Sequence, residues 1–439
     1  MNPIETVSVT AYPDAATGID VDALYKKVFW RFIPLLMLCF MAAYLDRVNV
    51  GFAKLQMLQD LNFSETIYGL GAGVFFLGYF LFELPSNVIM YRVGARRWIA
   101  RILITWGLIS GAMMFVTTPT AFYVLRFLLG LAEAGFFPGV ILYLTYWFPA
   151  ARRGRINSLF MIAVPLSGVV GNPLTGWILQ RFNHVGGWAG WQWVFLLEAV
   201  PSIVLGVIVF LRLDDSIAKA SWLNSEEKRT LGHNIAEESQ QKETRHLAGV
   251  LWRPRLWAMA FIYFGICMGM YGVSFWMPTI VRNSGVKDVA IIGLLTAIPP
   301  VFTALAMVLN SSHSDRARER RWHVAVPCLI GAVGLALSVL TTGSTTLALI
   351  ALTAGYAGTM AGAPVFWSMP TSVLGGVAAA AGIALINSLG NLSGFVSPYL
   401  VGWLKDFTGS INSGIYILAL FLALGGLSAL AQPKELVNK

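Results

Sequence analysis

The stretch SNVIMYRVGARRW, residues 86–98, decides the architecture because the chain contains it twice in related form. It closes an apolar run and ends in a double arginine that begins at Arg96. The stretch NSSHSDRARERRW, residues 310–322, closes another apolar run, and its double arginine begins 224 positions later, at Arg320. This recurrence predicts that the chain is built from two copies of one structural unit.

The composition indicates that most of the chain lies in lipid. Of its 439 residues, 56% are hydrophobic and 12% are charged, and the mean hydropathy is +0.67. A soluble domain carries about 25% charged residues. A helix needs about 20 mostly apolar residues to cross a bilayer, and unpaired backbone groups find no partners in lipid. The sequence therefore predicts an all-α membrane protein with twelve spans, near 29–48, 67–91, 98–117, 122–147, 156–180, 192–212, 256–279, 289–310, 323–342, 345–367, 379–403 and 411–431.

The longest polar stretch, residues 213–254, divides these spans into six and six. A duplicated unit of six spans is typical of a secondary transporter whose halves rock about a central site. We therefore expect five segments: an N-terminal cytoplasmic tail, a six-helix bundle, a cytoplasmic linker, a second six-helix bundle and a short cytoplasmic tail, at 1–27, 28–212, 213–254, 255–431 and 432–439.

The basic residues predict how the spans are oriented. The net charge is +9, and with a cytoplasmic N-terminus 24 of the 31 Lys and Arg residues fall in cytoplasmic segments. Cytoplasmic loops of membrane proteins are enriched in Lys and Arg. We expect both termini to lie in the cytoplasm and the protein to lie in a bacterial inner membrane. The basic clusters then face anionic lipid, and no nucleic-acid partner is needed to explain them.

The cysteines and the N-terminus exclude further classes. Cys39, Cys267 and Cys328 lie in apolar runs without paired or metal-ligand spacing, which argues against a disulfide scaffold or a zinc site. The first 24 residues are polar and acidic, unlike a cationic secretory leader. We expect no metal site and no cleaved signal.

Four stretches carry a resemblance to a known family: AYLDRVNVGFA (43–53), ELPSNVIMYRVGARRWIA (83–100), LRFLLGLAEAGFFPGVILYLTYWFP (125–149) and GIALINSLGNLSGFVSPYLVGWLKDFTGS (382–410). The plan of six plus six spans with a basic loop after the second span of each half resembles the major facilitator superfamily. The four motifs resemble its anion:cation symporter family, from about residue 28 onward. That family takes up tartrate, phthalate, hydroxyphenylacetate and sugar acids with protons.

The first basic loop departs from the superfamily's pattern. That pattern is Gly-x-x-x-Asp-Arg-x-Gly-Arg-Arg, and here Asn87 and Tyr91 replace its Gly and Asp. The second copy keeps the Asp-Arg pair. We expect gating contacts from the residues of both loops, although Tyr91 cannot form the usual ion pair; these residues are Arg92, Arg96, Arg97, Asp315 and Arg316.

Charged residues inside the spans are the main candidates for function, because a charge at mid-bilayer costs about 2.5 to 3.5 kcal/mol on insertion scales. Arg126 and Glu133 are seven residues apart and share a helix face, whereas Asp46 and Arg47 diverge by about 100°. The others are Glu83 and Glu198, for which we expect helix pairing or interfacial anchoring.

Two roles follow for these charges. The planar fork of Arg47 suits a substrate carboxylate. Asp46 and Glu133 are acids that burial can adapt to carrying protons, and the histidines all lie in loops or at span ends. The resemblance implies the same roles for these three residues. For Arg126, a structural ion pair with such acids and a contact with substrate both stay open.

The rest of the predicted pocket rests mainly on similarity to sugar-acid carriers. Its residues are aromatic with polar tips or are amides, and ordinary helix packing is the alternative interpretation; they are Tyr44, Tyr79, Tyr271, Trp367, Asn387 and Asn391. Some sugar-acid carriers have an amide in the fifth span where this chain has Val164. A less polar wall suits a less hydroxylated acid, and the motifs are closer to the tartrate and hydroxyphenylacetate branch.

These observations predict a monomeric, proton-coupled symporter that imports a small organic acid anion by alternating access. Its expected partners are the anion, protons and the lipid bilayer, with no cofactor besides the coupling protons. An exporter of drugs or metabolites with the same fold is the alternative. A membrane-embedded enzyme is disfavoured because the sequence has no Asp-x-x-Asp motif or histidine cluster. A channel is disfavoured by the internal duplication.

Overall fold

The computed structural model describes residues 20–149, 152, 156, 160–240, 254–341, 343–373 and 376–438. These residues form helices, with no strand among them. Ten helical segments are long and apolar enough to cross a membrane, and two further helices occupy the fifth and eleventh places. In chain order, spans 1 to 12 are Val21–Leu61, Glu65–Val93, Ala95–Phe115, Pro119–Thr145, Ala163–Arg181, Gly190–Arg212, Pro254–Asn283, Val289–Ala317, Arg321–Ser338, Thr345–Pro370, Gly376–Thr408 and Asn412–Leu430.

The all-α class and the twelve-helix architecture are thus confirmed, whereas several helix ends differ from the apolar runs. Span 1 begins at Val21, within the stretch expected to be a tail, because the Asp20 side chain accepts from the amides of Asp22 and Ala23 and starts the helix there. The expected linker contains a helix, Ser225–Gln240. The remainders of the expected tails and linker, at 1–19, 241–253 and 439, lie outside the described residues.

Side-chain caps start several spans at one membrane face. Ser64 accepts from the Ile67 amide at the start of span 2, Thr118 accepts from Ala121 at the start of span 4, and Asp288 accepts from Ala290 and Ile291 at the start of span 8. An even number of spans returns the chain to its starting side. We call the side that carries both chain ends the termini face and the other side the opposite face.

The two halves pack against each other through spans 2 and 11, spans 5 and 8, and spans 1 and 7. Glycines allow the closest approaches near the opposite face. A Cβ on Gly176 of span 5 would lie 2.6 Å from the Val289 carbonyl oxygen and 2.9 Å from Gly293 Cα of span 8. A Cβ on Gly69 of span 2 would lie 2.4 Å from the Pro398 carbonyl oxygen of span 11. The halves are therefore closed at the opposite face, by backbone surfaces that leave no room for a side chain.

A charged cluster joins the same ends. Lys405 of span 11 forms an ion pair with Glu65 of span 2, and Lys54 Nζ lies 2.7 Å from the other Glu65 oxygen. Asp406 accepts from the Thr66 amide at 2.7 Å. The ammonium of Lys54 also stands 3.4 Å from the ring centre of Trp276 in span 7, a cation–π contact. This cluster links three inter-half helices where the glycines bring them together.

We predict that Gly176→Ala weakens closure at the opposite face, because the new methyl group clashes with span 8. Gln180 Nε2 donates to Asp288 Oδ2 at 2.8 Å across the same junction. Cysteines at these two positions, joined by a short bifunctional maleimide, report closure. The cross-linked fraction should fall about twofold or more in the Gly176→Ala background, since close-packed helices cannot absorb an added methyl group.

Gly111→Ala is the matched control, because its Cβ would meet its nearest neighbour, Ala199 Cβ, at an ordinary 3.5 Å. It should leave the cross-linked fraction unchanged. Equal cross-linking in both variants would contradict the close packing of spans 5 and 8.

Candidate functional site

A buried ion pair between Arg47 of span 1 and Glu133 of span 4 forms the centre of the site. Arg47 is 8% exposed and Glu133 is 1% exposed. One guanidinium nitrogen of Arg47 contacts Glu133 Oε1, whereas Arg47 Nε and Glu133 Oε2 are buried without a hydrogen-bond partner among the described residues. The pair therefore uses one edge of the guanidinium fork and keeps another donor for a ligand.

The other half of the molecule reaches this pair. Arg47 Nη1 donates to the Tyr271 hydroxyl of span 7 at 3.4 Å, and that hydroxyl donates to Asn391 Oδ1 of span 11 at 3.2 Å. Close by, the hydroxyls of Tyr44 in span 1 and Ser274 in span 7 are 3.1 Å apart. The site is thus shared between the two halves, and a ligand at Arg47 would touch both.

Aromatic rings surround the Arg47 guanidinium. Its Cζ lies 5.3 Å from the ring centres of Phe75 and Tyr79, 5.9 Å from that of Phe76 and 6.0 Å from that of Tyr44. Rings at such distances attract a cation through their π faces, and they exclude water. The surroundings stabilise the charge of Arg47 and are otherwise apolar, which strengthens the attraction of this residue for an anion.

The helix that carries Glu133 is interrupted immediately after it. Residues Pro119–Glu133 form one helix and Phe136–Thr145 the next, with Gly135 between them at φ 84°. A Cβ on Gly135 would lie 2.3 Å from Ser86 Oγ of span 2. Discontinuous helices at membrane depth are typical of transporter binding sites. The break therefore places Glu133 at the end of a helix segment facing span 1.

A small cavity adjoins the site between the two halves. Its volume is about 30 Å³, and Tyr44, Gly168, Asn172, Ser274 and Tyr356 are among the residues that line it. A space of this size accommodates one or two water molecules. The closed form seen here must therefore open before an organic anion can enter.

Asp46 points away from Arg47, as their adjacency in one helix predicts. Its carboxylate accepts hydrogen bonds from Trp106 Nε1 at 2.7 Å, from Ser110 Oγ at 3.0 Å and from Ser202 Oγ at 2.6 Å. These donors belong to spans 3 and 6. Asp46 thus lies inside the N-terminal half, apart from the surface that meets the C-terminal half.

Arg126 differs from the expected supporting ion pair. It is fully buried, and it donates to the backbone carbonyls of Gly71, Ala72 and Arg47 at 3.3, 3.3 and 3.4 Å. Glu133 lies nearly two turns away along the helix and is paired with Arg47 instead. Arg126 therefore ties span 4 to the backbones of spans 1 and 2.

Two expected pocket residues have other neighbours. Asn387 Nδ2 donates to Glu83 Oε1 at 3.0 Å, joining spans 11 and 2 across the halves. The ring of Trp367 packs edge-on against Tyr263, with 4.8 Å between the ring centres. The pairing expected for Glu83 is thus an inter-half hydrogen bond, and the structure does not bring Asn387 or Trp367 to Arg47 by any of these contacts.

The two basic loops differ in their acidic partners. In the second loop Asp315 Oδ1 lies 2.5 Å from Arg320 Nη1. In the first loop Tyr91 is exposed, and Asp215, which follows span 6, accepts from the Arg96 backbone amide at 2.9 Å. Asp215 therefore gives the start of span 3 an acidic partner from another segment. Arg92, Arg97 and Arg316 are exposed at the termini face.

Sequence reasoning missed several residues of the site. Phe75 and Phe76 were indistinguishable from packing residues, and Ser274 and Tyr356 lie in apolar runs without a motif. The hydroxyls of Ser274 and Tyr356 are 3.5 Å apart. A hydroxyl residue four positions from another on an inward helix face was the available signal for Ser274, which follows Tyr271 by three positions.

Comparisons with known proteins agree on one family. Residues 36–398 match the sequence profile of the Major Facilitator Superfamily. A protein of Pseudomonas putida that bears the name of metabolite transport protein NicT is 48% identical, covering 98% of this chain and 99% of the relative. One from Agrobacterium vitis that bears the name of a tartrate transporter is 49% identical, with 95% and 93% covered.

A more distant relative and a solved structure complete the comparison. The quinolone resistance transporter of Acinetobacter baumannii is 39% identical, covering 91% of this chain and 92% of the relative. The crystal structure of a D-xylose-proton symporter superposes with a TM-score of 0.70, covering 94% of this chain and 99% of that chain, at 16% identity. At that identity the superposition shows the shared fold.

We predict that Arg47 and Glu133 are energetically coupled. Arg47→Met leaves a buried carboxylate without its cation, and Glu133→Gln leaves a buried cation without its anion, each costing about 3 to 5 kcal/mol. The double variant removes both charges and should recover much of this loss. Thermal unfolding of the purified proteins, followed by tryptophan fluorescence, should give a higher Tm for the double variant than for either single variant. Additive losses would contradict the pairing.

Proposed function

Because the chain belongs to the Major Facilitator Superfamily, we propose that it is a symporter that imports a small organic acid anion together with protons. Membership of this family and the named transporter relatives make the chain a multi-pass membrane transporter of a small molecule, and not an enzyme. The anion, the coupling to protons and the direction of transport are the proposal.

The observation that carries the proposal is the half-used guanidinium of Arg47. It is the charged group shared between the halves, it is surrounded by aromatic rings, and one of its donors is free of partners among the described residues. A planar guanidinium pairs with a carboxylate through two parallel hydrogen bonds. The binding of an organic acid at this point satisfies the buried donor, which a neutral ligand does less well.

Coupling to protons follows from the same pair. Glu133 occupies the guanidinium edge that a substrate carboxylate would otherwise take. Protonation of Glu133 removes the competing negative charge, so the anion binds when a proton is present. Release of the proton on the other side lets Glu133 return to Arg47 and expel the anion. The contacts of Arg47 with Tyr271 in the second half connect this exchange to the rocking of the halves.

The proposed substrate is a small acid with few hydroxyls, such as tartrate or an aromatic carboxylate. The relative named for tartrate transport supports this class. Val164 supports it as well, since it lies one helical turn from Gly168, which lines the cavity beside Tyr44. An apolar side chain there offers no hydrogen bond to the additional hydroxyls of a sugar acid.

We place the protein in the bacterial inner membrane with the termini face in the cytoplasm, because the loops at that face carry most of the Lys and Arg residues. Protease cleavage of a tag after Lys439 only in lysed, right-side-out vesicles would test this. We propose a monomer as the working unit, since one chain supplies both sides of the site, and protons as the coupling ion without a further cofactor.

We predict that wild-type protein in proteoliposomes accumulates labelled tartrate when the external solution is more acidic, and that Glu133→Gln abolishes this accumulation. A glutamine cannot release a proton, so the variant should still exchange internal for external tartrate while gradient-driven uptake falls at least about tenfold. The measurement compares uptake under a pH gradient with exchange at equal pH.

Glu227→Gln is the matched control, since Glu227 lies in the linker helix and pairs with Lys27 at 2.8 Å, far from the site in the chain. It should accumulate tartrate like the wild type. Gradient-driven accumulation that survives in Glu133→Gln would refute the coupling role.

An exporter of lipophilic drugs is the second candidate, favoured by the relative named for quinolone resistance. We predict that tartrate and hydroxyphenylacetate raise the Tm of the purified wild type, that galactonate raises it less, and that Arg47→Ala removes the response, because the guanidinium binds the carboxylate. A panel with these acids and a neutral lipophile decides between the candidates. A response to the lipophile that persists in Arg47→Ala would support export instead.

A further inference from the structure

A second cluster of buried acids lies inside the N-terminal half, apart from the Arg47 pair. Asp46 of span 1 and Glu198 of span 6 are each 1% exposed. Asp46 accepts from three donors, and one of them, Ser202, follows Glu198 by four residues on the same helix face. The two carboxyl groups are therefore neighbours. No cation forms an ion pair with either acid within the described residues.

The hydrogen bonds around Asp46 and Glu198 imply different protonation. The indole of Trp106 can only donate, and Asp46 receives it together with two hydroxyls, an arrangement that suits an ionised carboxylate. Glu198 Oε1 lies 2.5 Å from Thr175 Oγ1, which also lies 2.8 Å from the Gly171 carbonyl oxygen. Each of these two contacts needs a proton, and the hydroxyl has one.

The Gly171 carbonyl can only accept, so the Thr175 hydroxyl gives its proton there and the second proton comes from Glu198. Glu198 thus fits a neutral carboxylic acid. Its other oxygen is buried without a partner among the described residues, and so are both polar side-chain atoms of Asn49, which lies beside it. These groups leave room for a proton or a water molecule to pass.

Glu198 lies between Asp46 and the opposite face. Eight residues separate it from Gly190, where span 6 begins at that face, a rise of about 12 Å. Asp46 lies fifteen residues from Leu61, where span 1 ends, a rise of about 22 Å. Among the described residues of spans 1, 3 and 5, Asp46 is the titratable group that acts on Glu198. A proton travelling from the opposite face to Asp46 therefore meets Glu198 first.

We propose that Glu198 is a proton relay between the opposite face and Asp46. In the relay step the O–H bond of the Glu198 carboxyl breaks, the proton joins an oxygen of the Asp46 carboxylate, and Glu198 becomes ionised. A proton from the opposite face then restores the acid. This role rests on the proposed proton coupling, and it replaces the helix pairing or anchoring expected for Glu198 from the sequence.

The test uses the full chain in proteoliposomes with labelled tartrate, comparing wild type, Glu198→Gln, Glu198→Asp and the control Glu227→Gln. The readout is the ratio of pH-gradient-driven uptake to tartrate exchange, measured over a range of external pH. We expect Glu198→Gln to lower the ratio at least about tenfold, Glu198→Asp to restore much of it with a shifted pH profile, and Glu227→Gln to match the wild type.

Infrared spectroscopy of the same samples tests the protonation directly. The carboxylic-acid C=O band of the wild type at neutral pH should lose intensity in Glu198→Gln and keep it in Glu227→Gln. An unchanged ratio and pH profile in Glu198→Gln, or an unchanged band, overturns the relay. A wild type that takes up no protons with tartrate contradicts the proposed function, and the relay with it. A coupled wild type with an unaffected Glu198→Gln variant contradicts the relay alone.

Discussion

The ion pair of Arg47 and Glu133 is the interaction on which the arrangement of the two halves depends. Two charges buried at membrane depth lose solvation worth several kcal/mol each, so each needs the other or a replacement. Both partners belong to the N-terminal half, and Tyr271 from the C-terminal half donates no charge to them. The second half can therefore move away without leaving an uncompensated ion, which is what a rocking mechanism requires.

The contacts that close the opposite face are of a different kind. Gly69, Gly176 and Gly293 bring backbones together, and the pairs of Glu65 with Lys54 and Lys405 span the junction. Such surfaces fit in one arrangement and separate as rigid bodies, because a packed interface is bistable and does not deform continuously. A carboxylate exchange at the centre thus acts on an interface that is either closed or open, and small changes at Arg47 suffice to select between them.

Several features of the site followed from local sequence. Adjacent residues in a helix diverge by about 100°, so Asp46 and Arg47 had to face different surroundings, and the structure places one inside a half and the other at the junction. The pairing of Glu133 could not be read in this way. Spacing alone favoured Arg126 as its partner, whereas Arg126 reaches the carbonyls of spans 1 and 2. The amide of Asn387 likewise has Glu83 as its partner.

By itself the sequence determined that the chain crosses a membrane twelve times, that its halves are duplicates and where its basic charge lies. Hydropathy and helix period are properties of about 20 neighbouring residues, and lipid permits no other backbone structure there. Only the tertiary structure decided which charges meet. Arg47 and Glu133 are 86 residues apart, and Arg47 and Tyr271 are 224 apart. Contacts over such separations depend on how whole helices pack, since no local pattern specifies the side chain that arrives from the other half.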